Sequence, residues 1–228
     1  VYQTFRAFNL ADKYQIPVIV LSDQFIGDGS KTIKEIDTSG MKIERHLVDP
    51  AEVEGEYKRY KYTEDGISPR AYPGQLKDNI VLIDSDEHDE YAHIVEDAET
   101  RNKMVEKRNK KMEKLKDEDL LEPEYTGPES PDYILVGWGS TAGPLREGRK
   151  ILSDEFEVGH LAFNDVWPLP TKTIKEMAES DAKLVFVENN AGAQFDRLVR
   201  SETGIKADYN ILKDDGRPFS GQEIYRRF

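Results

Sequence analysis

The stretch Asp132–Leu152, DYILVGWGSTAGPLREGRKIL, decides how the C-terminal part of this chain folds. Its apolar run Tyr133-Ile134-Leu135-Val136 is short and rich in residues that suit a buried strand. Gly137, Gly139, Ser140, Thr141 and Gly143 then mark a tight turn, and Pro144 stands where a first helical turn tolerates proline. Leu145, Gly148, Ile151 and Leu152 recur at helical spacing, so the turn feeds a helix. Strand, glycine turn and helix in this order open an α/β unit.

Such a turn can aim backbone N–H groups at an anion, which makes Gly139, Ser140 and Thr141 a candidate anion site. The glycines read GxGxxxG, one residue longer than the dinucleotide fingerprint, and no Lys-Ser/Thr ending follows as in a P-loop. A tight connection packing the helix on its strand is the competing reading, and the spacing favours it.

Towards the C-terminus the pattern stays regular. Glu157–Phe163 reads as a strand, Trp167–Pro170 as a rigid loop, and Thr171–Ser180 as a helix with Thr173 and Glu176 placed for a capping box. Leu184–Val187 is a buried strand ending in Glu188-Asn189-Asn190. A helix runs to Thr203 and closes on Gly204, Asn210–Leu212 forms a last strand, and Ser220 with Glu223 caps a terminal helix. Residues 132–228 are thus expected to be a three-layer α/β domain around a mostly parallel sheet.

Upstream the rhythm is lost. Asp117–Pro131, acidic and proline-rich, reads as a linker. Before it, Glu96–Asp117 is helical, with acids at its start and lysines at its end to suit the helix dipole. Ala98, Val105 and Met112, with Leu115 beside them, give it a narrow apolar stripe. Its basic residues can clasp a phosphate-bearing ligand, although a solvated face is the usual meaning of such a run.

DSDEHDEYAHIVED, Asp84–Asp97, gathers Asp84, Asp86, Glu87, His88, Asp89, Glu90 and His93. The glycine and terminal glutamate of a calcium loop are missing from their places, and His88 and His93 are not the i, i+4 pair of a helical zinc site. An acidic surface or interface loop is expected there, with no metal. In EDGISPRAYPG, Glu64–Gly74, Pro69 and Pro73 stiffen the loop around Arg70. Arg70 either meets an anionic substrate or partner carboxylate or ties the loop to its own domain. Met41–Val48 and Tyr57–Tyr62 read as short strands, the YKRYKY segment as a solvated edge strand. At the start, Val1–Tyr14 reads as a helix and Pro17–Leu21 as a buried strand. Ser22-Asp23-Gln24 would lie at that strand's C-terminal end, where open α/β sheets place ligands.

Composition bounds the function. The chain has 228 residues, 37% hydrophobic and 34% charged, as in a soluble globular protein. A net charge of −13 opposes nucleic acid and anionic membranes as partners. Without cysteine the chain holds no disulfide and no thiolate-ligated iron–sulfur cluster of its own. No apolar run reaches the ~20 residues of a membrane span and no signal peptide is recognisable, so a cytoplasmic location is expected.

Taken together, AFNLADKYQIPVIVLSDQ, EDGISPRAYPG, DEHDEYAHIVED with the following basic segment, VGWGSTAGP, PLP, VENNAGAQ and GRPF resemble the α subunit of 2-oxoacid:ferredoxin oxidoreductases, most closely the 2-oxoglutarate type. The resemblance covers nearly the whole chain in family order. It implies an enzyme that oxidatively decarboxylates a 2-oxoacid to its acyl-CoA, using thiamine diphosphate, magnesium and iron–sulfur clusters, with a β subunit, ferredoxin and coenzyme A as partners in an oligomer. It also implies a division into 1–30, the end of a pyrimidine-binding thiamine domain; 31–131, an irregular α+β insert with charged helix and linker; and 132–228, a domain like the transketolase C-terminal domain. The family's Tyr-Pro-Ile-Thr-Pro and Arg-Gly-Gly-Pro-Ser-Thr-Gly motifs are absent, so no catalytic residue is assigned and this chain is expected to be inactive alone, a structural and assembly region. Arg70, Glu87, His88 and Asp89 are the candidates for contact with the partner subunit or the active-site rim. A β component of a thiamine-dependent 2-oxoacid dehydrogenase, a transketolase relative or a non-catalytic interaction module are the alternatives; SPRAYPG and DEHDEYAHIVED weigh against the first two.

Overall fold

The computed structural model describes residues 1–228. In chain order its main elements are α1 (Tyr2–Tyr14), α2 (Gln24–Asp28), α3 (Ala98–Glu118), β1 (Glu124–Thr126), β2 (Tyr133–Trp138), α4 (Ala142–Leu152), β3 (Val158–Phe163), α5 (Lys172–Ala178), β4 (Lys183–Glu188), α6 (Gln194–Thr203), β5 (Tyr209–Leu212) and α7 (Gly221–Arg227). They form two compact units, one of 1–21 with 33–119, the other of 22–32 with 120–228. No helix is long and apolar enough to cross a membrane.

The second unit is a five-stranded sheet in the order β1-β3-β2-β4-β5. β2, β3, β4 and β5 are parallel and only β1 runs antiparallel, against β3. Side chains alternate across the strands as period two demands. Ile134, Val136, Leu161, Phe163, Leu184 and Phe186 face one way and pack with Ile174 of α5 and Phe195 and Val199 of α6. Leu135, Val158, Val185, Val187 and Ile211 face the other way, onto Leu145 and Leu152 of α4 and Ile224 of α7. Helices on both faces make the three layers that the alternation of elements predicts. Ser220 and Glu223 form the expected reciprocal capping box on α7. The second expected box does not form: α5 begins after Thr171 with no side-chain cap, and the Thr173 N–H donates instead to the Glu122 carboxylate at 3.0 Å. The acidic 117–131 segment is not only a linker, because it contributes β1, where Tyr125 covers the bare backbone of Gly159.

The first unit is built differently. α1 packs on α3, with Tyr14 fully buried and its hydroxyl, like the Lys13 ammonium, on the Asp119 carboxylate. Between the helices the chain is mostly irregular, and several expectations are corrected here. Pro17–Leu21 is not a buried strand: it pairs with nothing and leaves Ile19, Val20 and Leu21 exposed. A lone strand has nothing to hydrogen-bond to, and no strand in this unit offers it an edge. Met41–Val48 and Tyr57–Tyr62 form no strands either; the only pairing in these two segments is one isolated bridge, Leu47 to Arg70. Tyr57 is buried, not an edge residue, its hydroxyl donating to Pro69 O at 2.8 Å and accepting from the Ala71 N–H at 2.9 Å. On α3 the buried stripe runs through Met104 and Leu115, while Ala98 is exposed. Val105 and Met112 are half-buried, and Lys107 and Lys111 are drawn in beside them, so the covered face of the helix is broader and more basic than the apolar stripe alone.

Candidate functional site

In an open α/β sheet the ligand crevice lies beyond the carboxyl ends of the strands, where the strand order changes direction. Here β2 sends its chain to β3 on one side and has β4 on the other, so the loops after β2 and β4 border that point. After β2, Gly139–Thr141 make one turn of 3₁₀-helix that runs into α4, and Gly139 has φ +58°, a left-handed turn that suits glycine. Gly137 is tightly enclosed: an added Cβ would lie 3.0 Å from Leu145 and 3.2 Å from the Val187 carbonyl. Thr141 is buried, whereas the Ser140 hydroxyl donates to the carboxylate of Asp23, which also caps α2. The turn already meets a carboxylate of its own unit. After β4, the buried Glu188 carboxylate accepts the N–H groups of Phe195 (2.8 Å) and Asp196 (3.0 Å) and the side-chain amide of Asn190 (2.8 Å). An internal carboxylate thus closes the N-terminus of α6, a task the sequence reading had not given it.

The other candidates gather in the first unit, on the loops against α3. Arg70 donates to the Asp12 carboxylate at 2.8 Å and to the Arg45 carbonyl, so its guanidinium ties its loop to α1; its Nε is buried without a partner. Glu87 is bidentate to Arg108, whose hydrogen bonds hold its carboxyl below the usual carboxylate range. His88 is buried, stacked on Tyr60 with ring centroids 3.8 Å apart, its Nδ1 3.0 Å from the Asp89 carbonyl. Asp89 closes the following turn, accepting from the N–H groups of Tyr91 (2.8 Å) and His93 (3.0 Å). Burial opposes its ionisation, but these N–H groups and the His93 ring hold its carboxyl below the ordinary value. The structure therefore brings Glu87, His88 and Asp89 into one folded loop. No group of three or more His, Cys, Asp or Glu side chains converges as it would around a metal ion.

A second cluster lies beside this loop, on segments distant in sequence. Arg59, Lys107 and Lys111 come together around Gln15 and Tyr60, from three separated segments. The basic run of the helix was visible in the sequence; its inward turn at 107 and 111 was not.

The fold and its glycine turn define a three-layer α/β domain of the kind that binds ligands at strand ends, attached to a helical unit with long ordered loops. Comparison with known proteins carries the assignment further. The family model "Pyruvate flavodoxin/ferredoxin oxidoreductase, thiamine diP-bdg" matches residues 1–107. Subunit α of 2-oxoacid:ferredoxin oxidoreductase 1 from Sulfurisphaera tokodaii is 36% identical over 96% of this chain and 34% of its own length. The 2-oxoglutarate synthase subunit KorA of Methanothermobacter marburgensis is 29% identical over 98% of this chain and 57% of its own. The solved 2-oxoglutarate:ferredoxin oxidoreductase from Magnetococcus marinus, with 2-oxoglutarate, coenzyme A and succinyl-CoA bound, superposes with a TM-score of 0.86 at 31% identity, over 96% of this chain and 38% of that one. The chain is homologous to the α subunits of 2-oxoacid:ferredoxin oxidoreductases, and it spans about a third of the length of the first curated relatives it matches.

Proposed function

We propose that this chain is part of the α subunit of an enzyme that oxidatively decarboxylates a 2-oxoacid, 2-oxoglutarate in the first instance, to its acyl-CoA with reduction of ferredoxin. The observation that carries this is the superposition on the Magnetococcus enzyme over nearly the whole chain, through both units. Thiamine diphosphate, which the matching family model names, belongs to the proposal, and magnesium, iron–sulfur clusters, a β subunit and an oligomeric complex join it through the family resemblance of the sequence. So do the division at 1–30, 31–131 and 132–228 and the likeness of the last part to the transketolase C-terminal domain.

The residues of this chain do not by themselves fit those groups. A chain without cysteine supplies no thiolate to a cluster. The turn at Gly139, Ser140 and Thr141, the one anion site proposed in the second unit, faces the Asp23 carboxylate, which repels a diphosphate. We assign the chain a scaffolding and assembly role, with no catalytic residue, and assign Arg70, Glu87, His88 and Asp89 to the surface that meets the partner subunit or rims its active site. Their internal hydrogen bonds fix that surface in shape.

Native mass spectrometry of the intact protein purified from its source tests this reading. A subunit heavier than 26.1 kDa travelling with a cysteine-rich partner supports it. A protein that remains alone at every concentration refutes it. In the complex, changing His88 and Asp89 together to alanine is expected to weaken assembly or turnover; no change in either removes the two residues from the surface.

A further inference from the structure

The first unit contains a local surplus of positive charge that its own carboxylates do not neutralise. Lys107 and Lys111 lie one turn apart on the inward face of α3. Lys111 Nζ donates to the Gln15 carbonyl at 3.3 Å, and Arg59 donates to the Gln15 side-chain oxygen at 2.6 Å, so two cations share one neutral residue. Gln15 takes this role from a left-handed backbone conformation, φ 52°, which is uncommon for glutamine. Arg59 and Lys107 both approach the Tyr60 ring, 4.9 and 5.9 Å from its centroid, and Lys107 Nζ makes no hydrogen bond or ion pair.

The nearby acids are engaged elsewhere. Glu90 pairs with Lys58 at 2.7 Å and accepts the Tyr62 N–H at 2.9 Å; Glu87 is held by Arg108; Asp65 pairs with Lys114 at 2.8 Å. Burial, with Lys111, Arg59 and Arg108 nearby and only Glu90 opposing, brings the Lys107 ammonium down to about 8. Burial together with Arg59 and Arg108 lowers Lys111 in the same direction. A chain carrying a net charge of −13 has carboxylates to spare, yet none is directed here. Holding cations together without counterions costs stability, and such strained arrangements mark functional places.

We propose that Lys107, Lys111 and Arg59 form a receptor for a small, multiply charged oxyanion, a phosphate or carboxylate group of a soluble ligand. The two ammonium groups act as point charges and the free edge of the guanidinium as a directional donor. The proposal stands independently of the reaction assigned above.

The test is an NMR titration of the intact protein with isotope-labelled methyl groups on its lysines, adding pyrophosphate in one arm and malonate in the other, with potassium chloride at matched ionic strength as reference. Saturable shifts of the Lys107 and Lys111 signals are expected, and the tighter arm identifies the ligand as phosphate or carboxylate. The double variant Lys107→Gln/Lys111→Gln should bind at least about tenfold more weakly, each charge-assisted contact contributing on the order of that factor. Lys107→Arg should retain binding, and Lys150→Gln, on an exposed position of α4, should leave it unchanged. Shifts no larger than those from chloride in both arms, or full binding by the double variant, would overturn the proposal.

Discussion

Arg108 meets Glu87 edge to edge, its two terminal nitrogens 3.0 and 2.9 Å from the two carboxylate oxygens. Through this pair the Asp84–Asp97 loop is fastened to the middle of α3. The fork geometry needs arginine. Because the pair lowers the Glu87 carboxyl, its contribution is present above the unfolded value of 4.5 and is lost as pH falls through the folded value. Arg108→Gln should be less stable than the parent by roughly 0.5–1 kcal/mol at neutral pH. In urea unfolding the gap should close as the pH drops below 4.5.

Lys107 gives a slope of the same sign in the alkaline range, although here the ionised form is the burden. Its folded pKa of about 8 lies below the unfolded 10.5, so between these values the unfolded chain binds more protons. The burden of the buried charge is therefore full below the folded value and is relieved as pH rises towards the unfolded one. Lys107→Met should unfold at a higher temperature than the parent at pH 7, and the advantage should shrink by pH 10. An advantage that does not depend on pH would show that packing, not charge, sets it.

Gly66 sits at φ +75°, and a Cβ there would come 2.2 Å from the Lys107 carbonyl and 2.9 Å from the Lys111 nitrogen. The obstruction is helix backbone, which cannot swing away. Gly66→Ala combines left-handed strain with displacement of the loop from α3, and should cost about 2 kcal/mol or more in chemical denaturation.

Glu188→Ala should cost about 2–4 kcal/mol, since it strands the Phe195 and Asp196 N–H groups at the start of α6 and the Asn190 amide. Glu188→Gln keeps one acceptor oxygen and should lie between the two. Hydrogen exchange should show the loss first at Phe195 and Asp196.

What the sequence disclosed follows the range of the forces involved. Tyr133–Val136 and Leu184–Val187 are fully apolar because both faces of a parallel strand are covered, and a continuous apolar run is readable without neighbours. Ser220 and Glu223 were legible because a capping box is made within one turn of chain. Pro17–Leu21 has the same apolar character as a strand but no partner in its unit, and composition cannot report a missing partner. Tyr57 was misplaced because its burial depends on Pro69 and Ala71, contacts that spacing does not encode. The candidate site divides likewise. Arg70, Glu87, His88 and Asp89 stood out by type, whereas the meeting of Gln15, Arg59, Lys107 and Lys111 required the fold.

The most direct test of the central claim is to purify the intact protein with whatever partners accompany it and follow the reduction of ferredoxin on adding 2-oxoglutarate and coenzyme A. The account predicts reduction that requires both compounds. A complex that is assembled and loaded with its cofactors, yet reduces ferredoxin with no 2-oxoacid, would contradict it.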